Sequence, residues 1–393
     1  LEAAAAPALL WPRQLSSGPE SGLCNQLFAL VGYAIMAAES KATLALPRFV
    51  THDQNGTSVA FEELFSRTAM VSALEGIGVS VWHPHWVCPQ GGGSSSQNAK
   101  GGVTTLPSNK PYQIMKRPKP IAGWQRYKLF TRERVKLRAN HIHQRIEDAV
   151  FKGLLPSEVI AHRVAHVRKV LLGRRRYGCL HARIEQDIQA SWGLVYAGRP
   201  PTLRQYLEGM ASSTAFSKAA AEAPDAFTAV GMAISAEDAT LIDRGRTSWG
   251  GALVRSAGVE HKAWHRGQQN ASEPSYVAAA LVDLWVCRGA EWFAGWGGST
   301  FARLLARFQH LDRGRGWFSA CPEGVTHFPA SSDVYFTTWG LCSPENGTSL
   351  RIRGYKGARR QSARIICQLG WCDQTESLLE QARKVTGKEV QLL

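Results

Sequence analysis

Between Tyr177 and Asp187 the chain changes character once, and that change limits what can be built around it. Tyr177-Gly178-Cys179-Leu180 is short and apolar, and His181, Arg183, Glu185 and Asp187 then follow at every second position. Alternate side chains of an extended chain share one face. One imidazole, one guanidinium and two carboxylates therefore line up where a strand leaves its sheet. In open α/β sheets that end of the strands is where ligands sit.

A second stretch answers the first. Glu291-Trp292-Phe293-Ala294 reads as an apolar strand that passes through Gly295, Gly297 and Gly298 to Ser299, and the residues from Thr300 to Phe308 have helical spacing. Glycines let a backbone approach a ligand closely, and Ser299 is a good N-cap. The N–H groups of such a helix start form a seat for phosphate. With Arg183 as a bidentate partner for phosphate oxygens, the two stretches together read as a clamp for a diphosphate.

At 393 residues the chain has room for two domains with full cores. No run of about eighteen apolar residues occurs, the length a membrane-crossing helix needs. The start, Leu1-Glu2-Ala3-Ala4-Ala5-Ala6-Pro7, has neither Met nor a basic segment and reads as a chain trimmed of its signal or membrane anchor. Three acceptor sequons, at Asn55, Asn270 and Asn346, stand in polar, turn-like surroundings and place the protein in the lumen of the secretory pathway, Golgi or endoplasmic reticulum. Eight cysteines fit that compartment. Cys24, Cys179 and Cys287 lie in apolar segments and read as buried thiols, whereas Cys321, Cys342, Cys367 and Cys372 crowd the C-terminal quarter and are the disulfide candidates.

Charge is unevenly spread. The net charge is +15, and from Lys110 to Arg176 eighteen Lys or Arg stand against four Asp or Glu. Such a field draws a nucleotide diphosphate, an acidic glycan or an anionic membrane surface. No nucleic-acid motif accompanies it, so nucleic acid is not expected as a partner. The pairs His83 and His85, His141 and His143, and His162 and His166 lack further ligands at zinc-site spacing, so no metal centre is expected.

In chain order, Gly22-Leu23-Cys24-Asn25 opens a helix whose face is Leu27, Leu30, Val31, Ala34, Ile35 and Ala38, and Thr43-Leu44-Ala45-Leu46 follows as a buried strand. That is half of a Rossmann-like unit. Pro89 to Pro111 reads as a long loop. A basic helix over 157–172 leads to the hinge at Gly173-Arg174-Arg175-Arg176. Beyond it come a helix with Leu203, Tyr206, Leu207 and Met210 on one face, a strand over Phe227 to Ile234 ending at a helix start at Ser235, and a strongly apolar helix from Tyr276 that carries Asp283. This alternation is a second Rossmann-like half. The organisation expected is 1–172, 173–332, and a cysteine-linked tail over 333–393 with a helix near 375–385.

Three segments carry a resemblance. Gly22-Leu23-Cys24-Asn25-Gln26-Leu27 resembles the N-terminal glycine-asparagine motif of the protein O-fucosyltransferase superfamily, and the run from His181 to Asp187 resembles the H-x-R-x-E-x-D of its plant and algal branch. The run from Asp283 to Phe301 is similar to the donor-binding motif of the animal enzymes. The resemblance implies an α/β GT-B fold, two Rossmann-like domains with an interdomain donor cleft, and an inverting, metal-independent transfer of fucose from GDP-fucose to a hydroxyl of a protein or glycan acceptor, an acidic one being compatible with the charge. It implies donor contacts from Gly22, Leu23, Cys24, Asn25, His181, Arg183, Asp283, Ser299, Thr300 and Phe301, with Asp283 on the guanosine and Arg183 neutralising the departing phosphate. Cys24 and Trp296 depart from the family pattern.

Inverting transfer needs the departing diphosphate neutralised and a base near the acceptor hydroxyl. Glu185 and Asp187 are the base candidates, each equally suited to orienting Arg183 by an ion pair. Two other readings keep their place: a UDP-rhamnose-dependent rhamnosyltransferase of the same fold, and a glycan-binding protein without catalysis. Fold alone does not choose among them.

Overall fold

The computed structural model describes residues 8–10, 14–15, 22–50, 58–82, 113–114, 126–127, 141–173, 175–182, 184, 202–229, 235–255, 276–296, 299–321, 324–328, 348–352, 365–367 and 390–392. The chain divides into two compact units, Leu1–Ser157 and Glu158–Leu393. The long loop at 89–111, the sequon asparagines Asn55, Asn270 and Asn346, the helix expected at 375–385, and Arg183, Glu185 and Asp187 lie outside the described residues.

In the first unit, strand β1 (Ala8–Leu10) sits at the centre of a small parallel sheet between β3 (Thr43–Leu44) and β6 (Gln113–Ile114). Helix α1 (Leu23–Glu39) links β1 to β3, with Leu9 opposite Thr43 and Leu10 opposite Leu44. This is the βαβ half-unit read from the sequence, except that its first strand lies in the lead-in. Short strands β2 (Gln14–Leu15), β4 (Arg48–Val50) and β5 (Ser58–Val59) form a second small sheet. Helix α1 is buried almost all round, so Gln26, a polar residue 0% exposed, must satisfy its amide internally. It donates to the Val50 carbonyl at 3.0 Å and accepts from the Val50 N–H at 2.8 Å, completing the β4 edge as a strand would. Helices α2 (Phe61–Leu64), α3 (Arg67–Glu75) and α4 (His141–Gly153) complete the unit, α4 packing on α1 and α3.

The second unit is built on six strands: β7 (Tyr177–His181), β8 (Asp225–Thr228), β9 (Leu253–Arg255), β10 (Phe293–Gly295), β11 (Trp317–Cys321) and β12 (Gly324–Phe328). Their order across the sheet is β12-β11-β10-β7-β8-β9. The first five are parallel, and β12 closes the edge antiparallel to β11. Counting only this sheet, the order is 3-2-1-4-5-6, that of a doubly wound dinucleotide-type fold, and it reverses between β7 and β10. The strand expected over 227–234 runs from Asp225 to Thr228, beginning two residues earlier and ending before Ala229, and residues 230–234 lie outside the described residues.

Side-chain alternation along β7 shows how both faces are covered. Leu180, with Ala226, Leu253, Ala294, Phe318 and Ala320, packs into the core with Leu203, Tyr206, Leu207 and Met210 of α6 (Leu203–Ala211), Phe216 of α7 (Thr214–Glu222) and Ile242 of α8 (Ala236–Asp243). Gly178 points the same way, and a methyl there would fall 1.8 Å from the Trp292 indole, which is pinned by its N–H to the Ala223 carbonyl. The opposite face takes Tyr177, Cys179 and His181. Tyr177 donates to the Val286 carbonyl of α9 (Tyr276–Arg288), Cys179 is disulfide-bonded to Cys287 of the same helix, and His181 meets α10 (Thr300–Arg313). Helix α5 (Glu158–Val170) lies on α9, where Arg168 donates to the Tyr177 hydroxyl and to the Trp285 carbonyl. Burial pushes the Tyr177 phenol above its ordinary range.

The disulfide corrects the sequence reading of Cys179 and Cys287 as thiols; Cys24 is buried in α1. The two partners are 108 residues apart, and pairing over such a distance is not readable from spacing. The segment read as a tail contributes three strands, β13 (Thr348–Ile352), β14 (Ile365–Cys367) and β15 (Val390–Leu392), in an antiparallel sheet with β13 central.

Two predictions follow from this packing. Replacing Cys179 and Cys287 together by Ala should lower the stability of the second unit by roughly 3–5 kcal/mol, the chain-entropy effect of opening a loop of this length; an unchanged midpoint in urea would show that the bridge does not form. At the amino ends of the strands, the Glu291 carboxyl is held below the usual carboxylate range first by its hydrogen bond from Arg315, then by the charges of Arg313 and Arg176, with burial pulling the other way. A depressed carboxylate stabilises the fold above its unfolded pKa and loses that effect as pH falls through the folded value. The stability difference between wild type and Glu291→Gln should therefore be present at neutral pH and shrink below about pH 4, as read from unfolding curves across pH.

Candidate functional site

The carboxyl edge of the second sheet brings the two sequence stretches together. Gly295, the last residue of β10, is in register with His181, the last residue of β7, across the point where the strand order reverses. Beyond Gly295 the chain turns into α10, and Phe301 in its first turn stacks on the His181 imidazole with ring centroids 4.5 Å apart and planes inclined by 26°. Gly295 makes the approach possible. A methyl on it would stand 3.2 Å from the Ala302 Cβ and 3.4 Å from the His181 Cβ, and only 2.8 Å from the Phe293 ring. A side chain there would press on the Phe293 ring and crowd Ala302 and His181.

Ser299 holds the N-cap position with extended backbone, φ −80° and ψ 131°, and is buried. Its side chain makes no capping hydrogen bond, so the first-turn N–H groups of a 14-residue helix are not closed off by their own cap. Those groups carry the positive end of the helix dipole and suit an anion. Thr300 and Phe301 are half-buried beside it. The sequence reading of Ser299 as a capping serine is right in position, while its hydroxyl does no capping.

Helix α10 is itself firmly held, which fixes its N-terminus. The Arg288 guanidinium lies 4.4 Å from the Trp285 ring centroid and 4.1 Å from that of Phe308, and it forks onto the Asp312 carboxylate. Trp285 and Phe308 stack on each other, and Gly314 ends the helix in the left-handed region at φ 58°.

Asp283 stands four residues before Cys287 on α9 and is half-buried. Positions four apart share a helix face, so Asp283 projects on the side that the disulfide turns toward β7. One helical turn back from Cys287 is a rise of about 6 Å, and two residues on from Cys179 is about 6.6 Å. Asp283 therefore stands near the level of His181. The disulfide thus fixes the height of α9 against the site, a role that sequence reasoning missed; its only visible signal was a cysteine in each of two adjoining apolar elements.

In the first unit, α1 begins at Gly22 without a side-chain cap. Gly22 has an ordinary φ of −55°, and no atom of the described residues lies within 4 Å of where a Cβ would stand. Leu23 and Cys24 turn their side chains into the core. Asn25 is half-buried, and its Oδ1 is enclosed without a hydrogen-bond partner among the described residues. Among the described residues no group of three or more His, Cys, Asp or Glu side chains is placed to hold a metal ion.

No protein-family model matches this chain, and no curated protein matches it. Among solved structures it is similar to POFUT1 in complex with GDP, at 14% identity over 78% of this chain and 95% of that one, with a TM-score of 0.43. It is likewise similar to the NodZ α-1,6-fucosyltransferase soaked with GDP-fucose, at 11% identity over 82% and 99% of the two chains and a TM-score of 0.44. The fucosyltransferase NodZ from Bradyrhizobium gives 11% identity, 83% and 99% coverage and the same TM-score of 0.44. The doubly wound arrangement of the second unit stands on its own strand order and register.

The stacked pair is testable by itself. Phe301→Ala should destabilise the second unit by about 2 kcal/mol, the sum of partial ring burial and an aromatic pair, and should shift the His181 imidazole proton resonances downfield as the ring current is lost. Unmoved His181 resonances would mean that the rings do not meet in solution.

Proposed function

We propose that this protein is a glycosyltransferase that takes its sugar from a nucleotide diphosphate donor, moving fucose from GDP-fucose to a hydroxyl of a protein or glycan acceptor by an inverting route in the lumen of the secretory pathway. The observation that carries the reading is the junction of His181 with the start of α10. An imidazole at the end of the first strand stacks on Phe301, at the reversal of strand order, beside a helix N-terminus that its own serine leaves uncapped. A diphosphate is the ligand that such a junction suits by charge and by position. The resemblance of 22–27, 181–187 and 283–301 to fucosyltransferase motifs supplies the choice of donor.

In this reading the acceptor oxygen attacks the anomeric carbon as the bond to the β-phosphate oxygen breaks, and negative charge gathers on the departing diphosphate. The N–H groups of Thr300 and Phe301 meet that charge, with the Ser299 hydroxyl beside them. Arg183, two residues beyond His181, supplies the guanidinium that neutralises it, and Glu185 or Asp187 takes the acceptor proton. Asp283 accepts hydrogen bonds from the base of the donor. The organisation proposed for the chain keeps 173–332 as the nucleotide-sugar domain and 1–172 as the acceptor domain.

Two measurements test this. GDP at a hundredfold excess over its Kd should stabilise the protein by about 2.7 kcal/mol, with UDP ineffective; stabilisation by UDP alone would move the assignment to a UDP-rhamnose-dependent enzyme, and by neither would refute the donor reading. Arg183→Ala should lose about 3 kcal/mol of transition-state stabilisation, roughly a hundredfold in rate. Transfer at the wild-type rate by that variant would remove Arg183 from the mechanism.

A further inference from the structure

Helix α5 has an inner face, Ile160, Val164 and Val167, that is buried, and an outer face that carries Glu158, Val159, His162, His166, Lys169 and Val170, all exposed. Val159 and Val170 are 60% and 57% exposed, large apolar side chains left in water. Two regularities run along this face. His162 and His166 are four apart, and imidazoles at that spacing share one side of a helix and can ligate a single zinc ion. They are half of a tetrahedral zinc shell, and no third His, Cys, Asp or Glu among the described residues is placed to join them. The second regularity is a mirrored order about Val164. His162 and His166 stand two residues to either side of it, and the pairs Val159 with Val170 and Glu158 with Lys169 stand five or six residues out, a mismatch of one residue or about 1.5 Å of rise.

We infer that the outer face of α5 docks a second copy of this chain, antiparallel about a two-fold axis at Val164, with one zinc-type ion held by His162 and His166 of both copies. A two-fold interface must be complementary to itself, and this face is. Val159 meets the partner's Val170, Glu158 meets the partner's Lys169, and the imidazole pair meets its own copy, so that every contact is made twice and the second copy supplies the two ligands that one chain lacks. Opposite charges at both ends fix the antiparallel direction, since a parallel pairing would set Glu158 against its own copy. The metal is needed for strength. A helix of 13 residues, about 20 Å long, buries less against its copy than the roughly 1,200 Å² at which specific interfaces become stable. Neutral imidazoles suit zinc, nickel and copper, whereas magnesium and calcium take oxygen ligands. Of the neighbouring cations, Arg168 turns inward to the Tyr177 hydroxyl and the Trp285 carbonyl, and Arg163 is half-buried. The surface goes beyond the transfer reading, and neither requires the other.

The test is sedimentation velocity on the whole chain in EDTA, in magnesium chloride and in zinc chloride. Wild type should be a monomer in the first two and a dimer in zinc, and the double variant His162→Gln/His166→Gln, altered only at exposed positions, should stay a monomer in all three. Glu158→Lys should weaken the zinc dimer about tenfold, the effect of turning two exposed ion pairs repulsive. Adding Lys169→Glu to Glu158→Lys should restore the dimer, because each pair then forms again with its signs exchanged; this rescue reads the antiparallel register, which loss of folding would not mimic. A wild-type monomer in zinc, a dimer that forms equally in EDTA, or a zinc dimer in the double Gln variant overturns the proposal. So does a charge exchange that dimerises no more tightly than Glu158→Lys alone.

Discussion

The contacts that the rest of the second unit depends on are the three made by one face of β7. Tyr177, Cys179 and His181 are consecutive residues of that face, and each holds a different point of the helical layer: the Val286 carbonyl, the Cys287 sulfur and the Phe301 ring. A strand of five residues thereby sets the height of α9 and the entry of α10 together. The other face of the same strand cannot relax to accommodate a shift, because Gly178 is pressed against the Trp292 indole and Leu180 is fully buried among α6, α7 and α8. Two close-packed faces on one short strand leave it a single position, and cores of this density transmit any displacement.

Much of this was legible in the sequence, and the reason is period. The strand, turn and helix from Tyr177 to Phe308 announce themselves by apolar runs broken by glycine and serine. The meeting of His181 with the Ser299 turn needed only the rule that ligands gather where strand order reverses. What stayed hidden was whatever depends on pairing between distant residues. Cys179 and Cys287 sit in apolar elements, where a cysteine is as well suited to being a buried thiol, and nothing local distinguishes the two states. Strand Ala8–Leu10 is three residues long, too short to show alternation, and takes its central place from the partners that flank it. The same holds for the three strands between Thr348 and Leu392, whose pairing joins positions dozens of residues apart.

Polar residues in the helices divide along the same line. Gln26 looks out of place in an apolar helix until Val50 is seen to bond both ends of its amide; its role is that of a missing strand neighbour. Asp238 is similar. It is buried, and it receives the Leu203 N–H at 2.8 Å and the Ser235 hydroxyl at 2.9 Å, closing the start of α6 from another helix. Such residues satisfy backbone donors that the fold has orphaned. The Ser299 hydroxyl stands in the position to do so and does not, and that contrast sets the start of α10 apart from the well-capped starts of α6, α7 and α8, where Thr202, Ser213 and Ser235 each accept a backbone N–H.

The polarity of the two sheet edges has one origin. In a parallel sheet with helical crossovers, a helix that follows a strand begins at the carboxyl edge and ends at the amino edge, so its dipole presents positive charge at the first and negative charge at the second. At the carboxyl edge this leaves the uncapped start of α10 beside His181, suited to a ligand that brings negative charge. At the amino edge the same alignment favours cations: Arg288 ends α9, Arg313 ends α10, and Arg168 reaches the Trp285 carbonyl near the end of α9. Once guanidiniums are gathered there for structural reasons, Glu291 relieves their mutual repulsion without matching their number, and Arg175 and Arg176 extend the excess outward to solvent. The alignment that leaves positive charge at one edge of the sheet therefore gathers guanidiniums at the other.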